Sequence, residues 1–495
     1  MEHPCIRKMI GLNSDERYDE ALKIGMASLC GPVDRIDKAN ICHLLGITLY
    51  NLHDWRGFIR WQKKCVEYAP DDLWPHRLRC LGNAIFTMHY LEDVTDKELA
   101  EAHFTAQKLV KNVPWIWDDE ARKALVKREG NLPRRKLRIG YISGDFVTSV
   151  NMPFVIQLLA AYNHEQFEVY VYHLSEKEDC ATEFVQSIVD NWRNLSGLGP
   201  EEAAKAIYSD KIDILFDISL HCGMSQTPSV VAYKPAPIIV GGIGYMSTSG
   251  MKAVDYFLTD IYCDPEGMGD EHFTERLLRL PHSHFCFTPR EYSQKFSVNT
   301  KIHDNIVFGS LNDYRKLNDD VLTAWSHILQ RVPNSSLLIQ SMGSESDREW
   351  LREKITKNGI DLNRVEIRKP NNDYYATYND MDIMLDSYPY VGGATTLDSL
   401  YMGVPPVVMY GTRHGTRFGY SIMQNLGLGE LTVNNWEDYE NLAVSLAGDR
   451  ELLEILHTNL RSMMAKSPLM DAKLYVRSIE EKYLEIWERF LQENT

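Results

Sequence analysis

The sequence predicts an α/β protein of two doubly wound lobes behind a short all-helical arm. Three observations predict it. From residue 137 onward, short β-rich runs alternate with helical stretches, the signature of βαβ units and a parallel sheet. The alternation restarts after about residue 300. The first 130 or so residues contain no such run and read as helices throughout.

The arm is assigned to residues 1–130. Its clearest piece is "ICHLLGITLYNLHDWRGFIRWQKKCVEYAPDD" (41–72). Gly46 lets two antiparallel helices approach closely, and Pro70 stops the second of them. The pair is similar to one tetratricopeptide unit of roughly 34 residues. Phe58 and Cys65 stand where such units carry small residues. A second pair follows in 73–112, so the arm holds one recognisable repeat and a degenerate neighbour.

The polar, basic stretch "KREGNLPRRK" (127–136) marks the boundary to the first lobe, 137–290. Its strands are expected at "LRIGYIS" (137–143), "FEVYVYHLS" (167–175), "IDILFDIS" (212–219), "APIIVGGIGY" (236–245) and "DYFLTD" (255–260). The second lobe, 304–495, has strand candidates "NIVFGS" (305–310), "SSLLIQS" (335–341), "RVEIRK" (364–369), "DIMLDS" (382–387) and "PPVVMY" (405–410), with closing C-terminal helices. Ligands of such sheets bind beyond the carboxyl ends of the strands, which places the site in the cleft between the lobes.

Composition narrows the function classes. Hydrophobic residues make 44% and charged residues 25% of the 495, enough for buried cores. A formal net charge of −16 lacks the footprint of a general nucleic-acid binder. Nine scattered cysteines without a CxxC pair read as reduced thiols. The start has no apolar core of signal-peptide length, and no apolar run approaches about 18 residues. A cytoplasmic chain without a membrane span is expected.

Four stretches carry candidate chemistry. In "GGATTLD" (392–398), Gly392 and Gly393 allow close backbone approach, and a helix N-terminus there favours an anion such as phosphate. Thr395 and Thr396 add hydroxyls, and Asp398 can accept from ribose. The same residues also read as a capping box, Thr395-x-x-Asp398. In "FGSLNDYRKL" (308–317), Lys316 can pair with a diphosphate or stay solvated. In "IVGGIGYMSTSG" (239–250), Gly241–Gly244 can admit a sugar or phosphate, or only make the turn. Asp145, after the first strand, can act as a base or cap the next helix. His282 and His284 form an HxH pair without an evident third ligand, and Asp380-Met-Asp382 spells DxD at a strand start. No metal site is expected from either.

Together these stretches resemble the O-GlcNAc transferase family, including SPINDLY-like proteins. The matching pieces are "LRIGYISGDF", "KIDILFDISLHCG", "KPAPIIVGGIGYMSTSG", "VDYFLTD", "FGSLNDYRKL", "LDSYPYVGGATTLDSLYMGVP", "GTRHGTRFG" and "SPLMDAKLYVRSIEEKYLEIW", in the family's order, with "LGNAIFTMHY" in the arm. The resemblance implies a GT-B fold: two Rossmann-like lobes with a central cleft, preceded by tetratricopeptide repeats. It implies an inverting, metal-independent glycosyltransferase that moves a sugar, GlcNAc from UDP-GlcNAc, to Ser or Thr of a protein, with no cofactor.

Roles follow residue by residue. Lys316 falls on the diphosphate lysine. Thr395 and Asp398 fall on the helix-start threonine and the ribose-binding aspartate. Gly244, next to Tyr245, falls on a sugar-side glycine. Asp145 matches a proposed base or relay group, and His221 matches an acceptor-side histidine, with a buried structural role as the alternative. Tyr374 stands where a base-stacking histidine is common. Asn312, Gly393, Ala394 and Thr396 complete the expected nucleotide-sugar set. Ser149 replaces a family histidine, Ala394 a threonine, and Asp313 an Asn or Gln. The short arm leaves acceptor choice to the cleft or to a partner subunit, and the absence of an inserted domain resembles the bacterial type. The alternatives are another donor (GDP-fucose, UDP-glucose), another acceptor (Cys, Asn, a glycan), or a non-catalytic partner of a true transferase.

Overall fold

Short runs of β-branched and aromatic residues become two parallel sheets, because helices cover both faces of each. The computed structural model describes residues 3–129, 135–223, 225–341, 343–369 and 374–494. The first sheet contains β1 (Leu137–Ser143), β2 (Phe167–His173), β3 (Asn191–Asn194), β4 (Ile214–Asp217), β5 (Ile238–Gly241), β6 (Tyr256–Asp260) and β7 (Arg276–Leu280). Its order is β3-β2-β1-β4-β5-β6-β7. The second contains β8 (Ile306–Ser310), β9 (Ser335–Gln340), β10 (Val365–Arg368), β11 (Ile383–Leu385), β12 (Pro406–Met409) and β13 (Thr432–Val433), in the order β10-β9-β8-β11-β12-β13. All pairings are parallel.

In both sheets the strand order reverses beside the first strand, at β1/β4 and β8/β11. A crevice opens at such a switch point. Asp145, Ser219, Asn312 and Asp386 all lie just beyond the ends of these four strands.

The three strands missing from the expectation are β3, β7 and β13. Each lies at a sheet edge; β3 is polar and part-exposed, and β7 opens on the exposed Arg276. Edge strands carry weak hydrophobic patterning because one side meets solvent.

The closing C-terminal helices expected at the end of the second lobe include one that crosses back over the first. The last helix, Ala472–Asn494, returns to the first lobe. Tyr483 Oη meets Tyr141 Oη at 3.3 Å, Tyr475 Oη donates to the His284 carbonyl at 2.9 Å, and Glu480 accepts from Asn163 N–H at 2.6 Å.

The arm has helices Pro4–Ser14, Tyr18–Leu29, Arg35–Asn51, Trp55–Tyr68, Trp74–Met88, Asp96–Val110 and Asp119–Glu129. Gly46 is a close-approach position, since a Cβ there would stand 2.7 Å from Gln62 Nε2. The second helix of that pair ends at Tyr68, ahead of Pro70. Residues 130–134 of the basic boundary stretch lie outside the described residues. Among the described residues no helix is long and apolar enough to cross a membrane.

Candidate active site

A cavity of about 550 Å³ lies between the lobes. The first lobe contributes Ser149, Asn151, Gly244, Tyr245 and Arg290, and the second contributes Asn312, Lys316, Tyr374, Tyr390, Gly393, Ala394, Thr395 and Asp398.

Its floor is built around Asp386, buried just past β11. That carboxylate accepts from the backbone N–H of Ser387 (2.9 Å) and Gly392 (2.9 Å) and from Asn312 Nδ2 (3.0 Å). Burial raises its pKa, and Lys316 opposes the rise. Asn312 in turn accepts from Thr395 Oγ1 at 3.0 Å. The loop is thereby tied to the end of β8.

Next begins the helix Ala394–Tyr401, with Gly393 as N-cap and no side-chain cap. The capping-box reading fails. Thr395 Oγ1 is spent on Asn312, and Asp398 Oδ1 accepts from Tyr375 Oη at 2.8 Å. The first helical turn takes its first acceptor at the Gly393 carbonyl, which Leu397 N–H reaches at 3.1 Å. The N–H groups of residues 393–396 precede that bond and have no acceptor among the described residues. Such orphan donors, with the helix dipole, favour a bound anion.

Lys316 stands beside this helix start. Its Nζ lies 3.3 Å from the Val391 carbonyl, 3.5 Å from Asn312 Oδ1 and 4.1 Å from the centre of the Tyr390 ring. Burial lowers its pKa, and Asp386 pulls it back up. The solvated-lysine alternative does not describe this environment.

Asp398 is buried, and burial lifts its carboxyl to about 6 against the Tyr375 hydroxyl. Tyr374 borders the same pocket, its hydroxyl 3.0 Å from that of Tyr378. Residues 370–373, just before it, lie outside the described residues.

Thr396, His221 and Asp145 stand behind the cavity wall, and Tyr245 lines the cavity with its hydroxyl engaged elsewhere. Thr396 is fully buried behind the loop, does not line the cavity, and its hydroxyl has no partner among the described residues. His221 is buried, and its Nε2–H donates to the Ser249 carbonyl at 2.8 Å. Its Nδ1 faces Gly82 on the arm, so the geometry is that of the structural alternative. Tyr245 lines the cavity, but its hydroxyl donates to His103 Nε2 at 2.7 Å. Asp145 is half-buried behind Asn151, whose Nδ2 donates to it at 2.7 Å. It does not cap the next helix, whose N-cap is Asn151.

The glycine loop is shaped by its own scaffold. A Cβ on Gly244 would stand 2.5 Å from the Ile218 carbonyl oxygen. The HxH pair is not a pair in use either: His284 Nδ1 donates to Asp260 Oδ2 at 2.6 Å. Asp382 is buried, accepting from Val307 N–H and His303.

Sequence reasoning missed Asp386, Arg290, Tyr375 and Asn151. An acidic residue ending the apolar run "DIMLD" was the available signal for Asp386. Arg290 and Asn151 sit in loops whose fold brings them to the cleft, and Tyr375 reaches Asp398 from the 3-10 helix Tyr374–Asp380.

Residues 52–302 and 295–479 match the Glyco_transf_41 family, glycosyl transferase family 41. The chain belongs to this family. A family 41 relative from Solanum lycopersicum, described as a probable UDP-N-acetylglucosamine–peptide N-acetylglucosaminyltransferase SPINDLY, is 33% identical over 421 residues, 82% of this chain and 44% of its own length. The SEC protein of Arabidopsis thaliana, with the same enzyme description, is 29% identical over 381 residues, 73% of this chain and 38% of its own length. The chain thus spans less than half the length of these curated relatives. A solved structure of a Thermobaculum terrenum O-GlcNAc transferase mutant superimposes with a TM-score of 0.76 at 24% identity, covering 100% of both chains. That likeness establishes the two-lobed family 41 fold, the GT-B architecture expected above.

Proposed function

We propose that this family 41 chain is an inverting glycosyltransferase that moves GlcNAc from UDP-GlcNAc to Ser or Thr of a protein acceptor. One observation carries the reading: the uncapped helix start at Gly393–Thr395 opens into the cleft beside the half-buried ammonium of Lys316. A nucleotide diphosphate fits that charge arrangement. Asp398 receives the ribose hydroxyls and Tyr374 the face of the base.

In the reaction the acceptor oxygen forms a bond to the anomeric carbon as the bond to the diphosphate oxygen breaks. That oxygen leaves with the electron pair, and Lys316 and the helix amides meet the developing charge. Preorganised donors of this kind are often the largest single source of rate enhancement. The acceptor proton passes to a base on the opposite side. Asp145 is the carboxylate nearest that role, one residue behind the cleft wall. The reading calls for no metal or cofactor, because the leaving group is met by protein cations and dipoles.

Calorimetry against UDP, UDP-GlcNAc, GDP and GDP-fucose tests it. Binding of UDP and UDP-GlcNAc, abolished or strongly weakened in Lys316→Ala, is expected. Binding of GDP but not UDP rejects the donor. No nucleotide binding at all favours the non-catalytic partner reading.

A further inference from the structure

The arm brings together three soft-metal ligands that the cleft chemistry does not use. Cys65 lies on the helix Trp55–Tyr68, and His76 and Cys80 lie one turn apart on the helix Trp74–Met88. Cys65 Sγ is 3.3 Å from Cys80 Sγ and 3.3 Å from His76 Nε2, and Cys80 Sγ is 3.7 Å from the same nitrogen. Both thiols are wholly buried. Around a tetrahedral zinc ion, with Zn–S of about 2.3 Å and Zn–N of about 2.0–2.1 Å, neighbouring ligand atoms stand roughly 3.5–3.8 Å apart. The observed triangle needs only a few tenths of an ångström of expansion. A fourth group is at hand. His43 Nδ1, on the helix Arg35–Asn51, lies 3.7 Å from Cys80 Sγ and 3.1 Å from Gln62 Oε1.

We propose that Cys65, His76 and Cys80, with His43 as fourth ligand, form a structural site for a soft divalent cation, zinc above all, in the helical arm. None of the four lines the cleft, and the proposal does not rest on the transferase reading.

The protonation changes balance. Zn²⁺ replaces two thiol protons, which leave to solvent as the two S–Zn bonds form. His76 remains neutral and shifts its ring proton from Nε2 to Nδ1. That shift displaces the Arg79 guanidinium, which now donates to Nδ1 at 3.1 Å from an exposed side chain free to turn into water. His43 must give up its contact with Gln62 Oε1 and carry its ring proton on Nε2 instead of Nδ1, which frees Nδ1 to bind the metal. The bond across the hairpin turn would pin three consecutive arm helices, one of which packs Gly82 against His221 of the first lobe.

The test uses the full chain, reduced, stripped with chelator, then given zinc or cobalt. One equivalent of zinc per chain is expected to survive dialysis. The cobalt form of the wild-type protein is expected to show intense visible bands of a tetrahedral thiolate site, a readout independent of any variant's folding. Zinc is expected to raise Tm in the wild type and in Cys180→Ser, whose thiol is exposed and remote, but not in Cys65→Ser/Cys80→Ser or His76→Ala. Absence of stoichiometric metal with all thiols reduced overturns the proposal. So do cobalt bands that persist in Cys65→Ser/Cys80→Ser, and so does a Cys65–Cys80 disulfide in the protein as isolated.

Discussion

At Lys316 a cation is held where burial disfavours it, which costs free energy unless an anion is to arrive. Lys316→Ala is therefore expected to cut turnover by about 10²–10³-fold while leaving Tm within a few degrees, checked by UDP release and thermal unfolding. Asp398 gives a pH prediction. Burial raises its carboxyl to about 6 in the fold, above the ordinary 3.8. Its stabilising contribution is therefore complete below about pH 3.8 and is lost as pH rises through about 6. Donor binding runs the other way. In the proposed donor pose the ribose hydroxyls meet the Asp398 carboxylate, so affinity is expected to fall as pH drops below about 6. Asp217 is also lifted to about 6 by burial, but it lies outside the cleft. Calorimetry of Asp398→Asn across pH 5–8 isolates the effect, with flat, weakened binding expected.

At the scale of the element, "GGATTLD" shows what sequence carries and what it conceals. The strand–loop–helix order was legible, since the apolar run, the glycines and the helical pattern are all local signals. Where the Thr395 hydroxyl and the Asp398 carboxylate bond was not legible. Thr395 and Asp398 bond to Asn312 and Tyr375, which lie 83 and 23 residues away in the chain. Those long-range partners leave the helix start uncapped. Gly392 is the tightest position of the loop. A Cβ there would stand 2.5 Å from Thr396 Oγ1, 2.6 Å from Thr395 Oγ1 and 2.9 Å from Asp386 Oδ1. Gly392→Ala is expected to cost about 1–3 kcal/mol in urea unfolding and to weaken UDP binding, because Thr395 must leave Asn312.

Over the whole molecule, the arm braces both lobes. On the first lobe, His103 accepts from Tyr245 Oη, and Trp117 N–H donates to the Lys234 carbonyl at 3.0 Å. On the second lobe, His53 stacks on Trp350 at 4.4 Å and bonds to Asp347 at 2.8 Å, and Asp96 meets Thr412. The sequence showed the arm as a separate helical unit. It did not show this bracing, because the contacts join residues hundreds of positions apart. His221 was misplaced for the same reason, its wall being an arm helix. Gly250 shows the packing limit. Its φ is +67°, and a Cβ would stand 2.0 Å from the His103 carbonyl oxygen, so Gly250→Ala is expected to loosen the arm and lower Tm. Tyr245→Phe leaves buried His103 Nε2 without its donor, since Nδ1 already serves the Leu99 carbonyl at 2.7 Å. A loss of about 1–3 kcal/mol in urea unfolding is expected.

The uncapped helix beside Lys316 is proposed to support sugar transfer from a uridine nucleotide. Intact-protein mass spectrometry of an acceptor protein incubated with this chain and UDP-GlcNAc reads that transfer out. One or more added N-acetylhexosamines on Ser or Thr are expected, matched by UDP release and lost in Lys316→Ala. Labelling that persists undiminished in Lys316→Ala would contradict that proposal.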